Sequence, residues 1–282
     1  MAREWKFKFG DLTFRGKRWG HGEGTPVIAL HGWLDNCASF DFLAPRLEGL
    51  DILALDLAGQ GKSDHRRHTG AYNIWLDIME VIAVADQLGW KRFGLLGHSR
   101  GAMIATLLAG TFPERVSHLA LIEAFAPQMV AAEDAPTQMA AAVEGLMQMQ
   151  GRERSLFSTF DDAVKARERG LMKLCHEDAK ALALRGVKET GGKFFWDYDV
   201  KLNAPSEVKF TYDQVKAFVD RIIPQISLVV AEEGIMGAFE KMQKLIEQTP
   251  NVQVSNLPGD HHLHMSRQSD AVADVFSRYF AQ

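Results

Sequence analysis

Cysteine and long apolar runs are both scarce in this 282-residue sequence. Only Cys37 and Cys175 occur, far apart in the chain, so no disulfide framework can be the source of its stability. Two free thiols in a reducing compartment are the expectation. No stretch reaches the roughly 18 consecutive apolar residues that cross a bilayer. At the N-terminus Arg3, Glu4, Lys6 and Lys8 interrupt Trp5, Phe7 and Phe9, so no secretory segment is expected and the cytoplasm is the default location. An excess of either charge is missing too. Lys and Arg number 32 against 36 Asp and Glu, a net charge of −4, which offers no basic surface to nucleic acid or an anionic membrane. With 46% hydrophobic and 24% charged residues, the chain has the balance of an ordinary globular protein. It is long enough to bury a large core, as one domain with an insertion or as two small domains.

The first stretch alternates apolar and charged residues. Trp5, Phe7 and Phe9 fall on one side of a strand that turns at Gly10-Asp11 into Leu12–Trp19, the pattern of a hairpin with one covered face. Beyond it, short apolar runs at Pro26–Leu30, Ile52–Leu55, Phe93–Leu96 and Leu119–Ile122 alternate with segments of helical period. Runs apolar at consecutive positions suit parallel strands covered on both faces. One helix is expected from an N-cap at Asn73 to Gly89, and another from about Arg100 to Phe112, before Pro113. From about Ala126 to Ile223 only helical signals recur, at Thr137–Gln150, Phe160–Leu171, Glu177–Val187 and Tyr212–Ile222. Met129, Met139, Met147 and Met149 cluster there, either as gap-filling core or as an adaptable wall facing a substrate. Strands return at Ile226–Ala231 and Val252–Leu257, with helices near Met236–Gln248 and Asp270–Phe280. The helical stretch therefore reads as an excursion out of one mostly parallel α/β sheet.

The sharpest chemical signal is Gly97-His98-Ser99-Arg100-Gly101, directly after one strand and directly before a helix. A turn that tight strains the serine backbone, leaves its hydroxyl above the sheet edge and points a helix N-terminus at developing negative charge. Ser99 is thus the candidate nucleophile. Acyl transfer also needs donors for an oxyanion, and the backbone N–H of Arg100 is one. The loop that closes Pro26–Leu30, His31-Gly32-Trp33, is placed to supply a second from the N–H of Trp33. A general base is available after the last strand, in Asp260-His261-His262-Leu263-His264. Three close histidines could instead bind metal, but no compact set of Cys or carboxylates completes such a site in the sequence, and none is expected.

Four stretches, HGWLDN at 31–36, DLAGQGKSD at 56–64, the serine elbow and PGDHHLHMS at 258–266, resemble the α/β-hydrolase superfamily and especially its serine hydrolase-like proteins. The resemblance implies an eight-stranded, mostly parallel sheet with an inserted helical cap, and a catalytic order of serine, acid, histidine. It selects His261 as the base, leaves His262 and His264 as flanking structural residues, and gives Asp56, Gly59, Gly61, Ser63 and Asp64 a structural turn. Many members carry the acid in a Gly-x-x-Asp pattern after the strand that is here Ile226–Ala231, but Gly234 stands at the Asp position. Some haloalkane dehalogenases instead place a glutamate after the preceding strand, which corresponds to Glu123. A glutamate directly after a buried run needs a partner, and His261 is the obvious one. Glu123 is therefore the first choice of acid, Glu232 or Glu233 the second. Dehalogenation itself is disfavoured, because a serine alkoxide would form a stable ether with an alkyl halide.

The expectation is a core of residues 1–125 and 224–282 with a cap at 126–223. The expected activity is that of a carboxylesterase-type serine hydrolase of small esters, needing neither cofactor nor metal, with Ser99, His261 and Glu123 as triad and Trp33 and Arg100 as oxyanion donors. The same apparatus would also cleave a lactone, thioester, amide or carbon–carbon bond, or serve a small-molecule sensor that keeps its triad.

Overall fold

The computed structural model describes residues 2–67 and 69–282. Strands β1 (Arg3–Phe9), β2 (Leu12–Trp19), β3 (Thr25–Leu30) and β4 (Leu50–Asp56) come first. Helix α1 (Ile74–Gln87), strand β5 (Phe93–His98), helix α2 (Arg100–Thr111) and strand β6 (Val116–Ile122) follow. Next come helices α3 (Ala135–Met149), α4 (Phe160–Glu168) and α5 (His176–Gly186), a hairpin of β7 (Val187–Thr190) and β8 (Lys193–Trp196), and helix α6 (Tyr212–Val219). Strand β9 (Ile226–Ala231), helix α7 (Glu240–Glu247), strand β10 (Val252–Leu257) and helix α8 (Ser269–Phe280) complete the chain.

Eight strands form one sheet in the order β1-β2-β4-β3-β5-β6-β9-β10. Only β1–β2 and β2–β4 pair antiparallel; the others are parallel, as the run of βα units requires. The apolar runs divide between two faces. Along β3, Ile28 and Leu30 join the core beneath α1 and α2, while Val27 and Ala29 join the core beneath α8. That explains why consecutive positions are apolar: each face has its own helical cover. Trp5, Phe7 and Phe9 lie half-buried on one side of β1, as their alternation indicates.

The chain leaves the sheet after β6 and re-enters it at β9. Three details differ from the sequence reading. The segment holds a hairpin, β7–β8, that the search for buried strands passes over because its residues are half-buried or exposed. Gly191-Gly192 at its turn is the signal that marks it. Helix α6, inside the expected cap range, packs in the main core: its Val215 and Val219, and Ile222 just beyond it, belong to the cluster of α1 and α2. Asn73 does precede α1, but its side chain donates to Glu207 Oε2 at 2.8 Å instead of capping the helix.

The insertion is fastened to the sheet by a buried charge pair. Arg185 of α5 donates through Nε to Asp56 Oδ2 at 2.8 Å, and the same carboxylate accepts from the N–H groups of Cys37 and Lys62. Asp56 thereby takes the structural role expected of its motif. Cys37 and Cys175 are both free thiols.

Candidate active site

Among the described residues, three that are not glycine hold a positive φ: Leu34, Ser99 and Glu123. They stand close behind the ends of β3, β5 and β6, so backbone strain gathers at one edge of the sheet, where α/β proteins assemble their sites. Ser99 has φ 50° and ψ −115°. The sharp turn depends on its glycines: a Cβ on Gly101 would lie 1.9 Å from the Leu30 carbonyl oxygen, and one on Gly97 2.5 Å from Ala102 Cα. The Ser99 N–H donates to the carbonyl of Ile122 at 2.9 Å, which ties the elbow to the end of β6.

Because His98 pairs with Ile122 across β5 and β6, Ser99 and Glu123 leave adjacent strands side by side. Glu123 is 1% exposed. Its Oε1 accepts from the Ala231 N–H at 2.8 Å, and its Oε2 from the Ile235 N–H at 3.0 Å and from His261 Nδ1 at 3.0 Å. Those three donors satisfy the buried carboxylate. A carboxylate that only accepts puts the ring proton of His261 on Nδ1 and leaves Nε2 as the acceptor. Glu232 and Glu233 are exposed, on the turn after β9. A Cβ at Gly234 would lie 2.3 Å from Glu123 Oε2, so no side chain fits there beside this carboxylate.

The loop after β3 is held by His31, to which the sequence reading gives no role of its own. His31 accepts the Leu57 N–H at Nε2 (3.0 Å), so its proton sits on Nδ1 and is donated to the Gly32 carbonyl at 2.8 Å. Burial pushes the His31 imidazole below its usual range, which keeps this neutral tautomer. The trans peptide is planar, so fixing the Gly32 carbonyl makes the Trp33 N–H point the opposite way. The Trp33 indole donates to the Leu202 carbonyl at 2.9 Å, linking this loop to the insertion. Arg100 opens α2, where its N–H has no partner in the preceding turn. Its side chain turns away to Asp77 (2.8 Å) and the Tyr72 carbonyl (3.0 Å), and does not engage Glu123.

Ser99 and His261 border one cavity of about 350 Å³. Trp33 lies beside them on the sheet side, and Arg167, Met172 and Trp196 close it from the insertion. None of the four clustered methionines lines it among the described residues. Met139 and Met147 are exposed, Met149 is buried, and Met129 packs on the main core, so the adaptable wall proposed for them is absent. His262 bonds to Asp35, while His264 is fully buried against Phe40 and His98. Burial, and then His262, lowers the His264 imidazole to about 3, so it stays neutral.

The family described as the alpha/beta hydrolase fold matches residues 25–157. A probable serine hydrolase of Drosophila melanogaster is 30% identical over 285 residues, covering 96% of this chain and 85% of that protein. The chain belongs to the α/β-hydrolase family. Within this family it resembles the serine hydrolase-like proteins, such as one of Danio rerio that is 26% identical over 281 residues, 96% of this chain and 85% of the relative. The α/β-hydrolase also superposes on a crystal structure of a hypothetical protein from Pseudomonas aeruginosa, with TM-score 0.95, 40% identity and 99% of both chains covered. A thioesterase domain from the curacin biosynthetic pathway shares the fold, with TM-score 0.86 and 22% identity over 98% of this chain and 99% of the other. Among the described residues, no helix of the α/β-hydrolase is long and apolar enough to cross a membrane.

Proposed function

We propose that this α/β-hydrolase is a serine esterase acting on small esters. One observation carries the reading: a strained serine and a histidine whose Nδ1 is held by a buried glutamate border the same small cavity. Ser99 attacks the ester carbonyl while His261 Nε2 takes its proton, and Glu123 stabilises the imidazolium that forms. The N–H groups of Trp33 and Arg100 hold the tetrahedral oxyanion. Collapse expels the alcohol, which receives the proton from His261 and leaves an acyl group on Ser99. Water, deprotonated by His261, then attacks the acyl carbonyl and returns the carboxylic acid and free Ser99. No metal or cofactor enters these steps.

The segment 126–223 acts as a cap, in that it supplies one wall of the cavity, and 350 Å³ sits at the lower end of small-molecule sites. Short acyl chains are therefore the preferred substrates. A panel of p-nitrophenyl esters from acetate to palmitate tests this, with kcat/KM expected to peak at the short end. Absence of turnover on every ester, or rapid hydrolysis of emulsified long-chain triglyceride, would overturn the reading.

A further inference from the structure

The proposed reaction uses His261 and leaves three neighbours without a chemical role. Asp35 lies in the loop after β3, His98 ends β5, and His262 follows His261. They are 2%, 0% and 3% exposed, yet all three border the cavity. One ligand-type atom from each lies within 4.8 Å of the other two. His262 Nε2 is 3.2 Å from Asp35 Oδ2, and His98 Nδ1 is 3.7 Å from the same oxygen.

The tautomer of His98 shows what this space accepts. Its Nε2 faces the carbonyl oxygen of His261 at 2.8 Å and must carry the ring proton, since a carbonyl only accepts. Nδ1 then presents a buried lone pair, without a hydrogen-bond partner, towards a carboxylate oxygen. Two electron-rich atoms facing each other away from solvent repel unless a cation or a donor lies between them. The space is there because residue 32 is glycine: a Cβ on Gly32 would stand 2.8 Å from Asp35 Oδ2 and 2.9 Å from His98 Nδ1.

We propose that Asp35 Oδ2, His98 Nδ1 and His262 Nε2 form a binding site for a zinc-like divalent transition metal, and that filling it inhibits the enzyme. Two imidazoles and one carboxylate suit Zn²⁺, whereas Mg²⁺ and Ca²⁺ favour all-oxygen sets. Tetrahedral bonds of about 2.0–2.1 Å put ligand atoms roughly 3.3 Å apart, close to the 3.2 and 3.7 Å found here. Asp35 Oδ1 is engaged by Arg167 at 2.6 Å, so Oδ2 is the oxygen left for the metal. On binding, His262 Nε2 gives up its proton, and the unpartnered Nδ1 carries one instead. The cavity supplies the entry path. Inhibition rests on the esterase reading: a dication beside His261 disfavours the imidazolium that forms when Ser99 loses its proton. The spacing of His261, His262 and His264 gives no hint of this site, because two of its three ligands lie outside that run.

Zinc chloride titrated calorimetrically into chelator-treated protein tests the site without any turnover, so failure of the esterase reading would not obscure the result. One Zn²⁺ per chain is expected. Asp35→Asn and His262→Gln should each weaken binding about 100-fold or more, while His261→Ala stays within about threefold. Zinc-soaked crystals of the parent protein provide a second test that needs no variant: an anomalous peak within bonding distance of all three atoms. Absence of binding, unchanged affinity in folded Asp35→Asn and His262→Gln, loss of binding in His261→Ala alone, or an anomalous peak elsewhere would each overturn the site. Zinc bound at the site without loss of esterase activity, in an enzyme active without it, would overturn the inhibition.

Discussion

The carboxylate of Glu123 fills the space that any side chain at position 234 would need, with its Oε2 only 2.3 Å from where a Gly234 Cβ would stand. The two places from which an acid could reach His261 therefore exclude each other sterically. Under the proposed mechanism Glu123→Gln keeps the volume but removes the charge beside His261, and a loss on the order of 10⁴ in kcat is expected. Glu232→Gln and Glu233→Gln, which alter exposed residues, should stay within about tenfold of the parent. Rates of the three variants on one short ester decide this, and an inactive Glu233→Gln beside an active Glu123→Gln reverses the assignment.

Ser99 is both the proposed nucleophile and a residue of strained backbone. Ser99→Ala should abolish turnover and labelling by a fluorophosphonate, a loss of several orders of magnitude, while circular dichroism stays unchanged. Ser99→Gly should be equally inactive but more stable, because glycine adopts φ 50° without strain. A gain of about 1 kcal/mol, or roughly 2 °C in Tm, is expected. A Tm below that of the parent would show that the elbow is not strained.

Arg185 and Asp56 have side chains 3% and 0% exposed, and the pair joins the insertion to the end of β4. Removing one member of such a pair leaves a buried charge. Arg185→Ala should lower stability by about 3 kcal/mol or more, read as a shift in the urea midpoint. A midpoint within error of the parent would mean that the two N–H donors on Asp56 suffice alone.

Glu80 lies buried beside Asp77 and Arg66, and Asp77 in turn pairs with Arg100 at the elbow. Burial first, and then the charge of Asp77, raises the Glu80 carboxyl to about 7. Its folded-state pKa is thus above the unfolded value, so between roughly pH 4.5 and 7 the native state holds more proton than the unfolded chain. The associated stability is full below that window and is lost as pH rises through it. Glu80→Gln carries no titrating proton there. Its Tm relative to the parent should therefore rise from pH 5 to pH 7, and parallel Tm–pH curves would refute the assignment.

Much of this protein is legible in one dimension because the signals are local. The alternation of β1, the doubly apolar runs of β3 to β6, and the strand–turn–helix around Ser99 each record how a few adjacent residues meet their surroundings. Glu123 is legible for a similar reason, as an acid at the end of a buried run. Elsewhere the deciding contact joins residues far apart in sequence. Asn73 has the right residue type and place for an N-cap, yet Glu207 engages its side chain across the fold. Nothing in the sequence shows that Leu57 fixes the tautomer of His31 and, through Gly32, turns the Trp33 N–H. The four clustered methionines are neighbours in sequence, yet none of them lines the cavity in the folded chain. That Glu123 meets His261 while Glu233 is exposed likewise depends on packing, with β6 paired to β9 and glycine at 234 leaving room for the Glu123 carboxylate. Local composition set which residues could be strand, elbow or acid; long-range packing decided which of them face one another, because steric exclusion and the satisfaction of buried polar groups act through space and not along the chain.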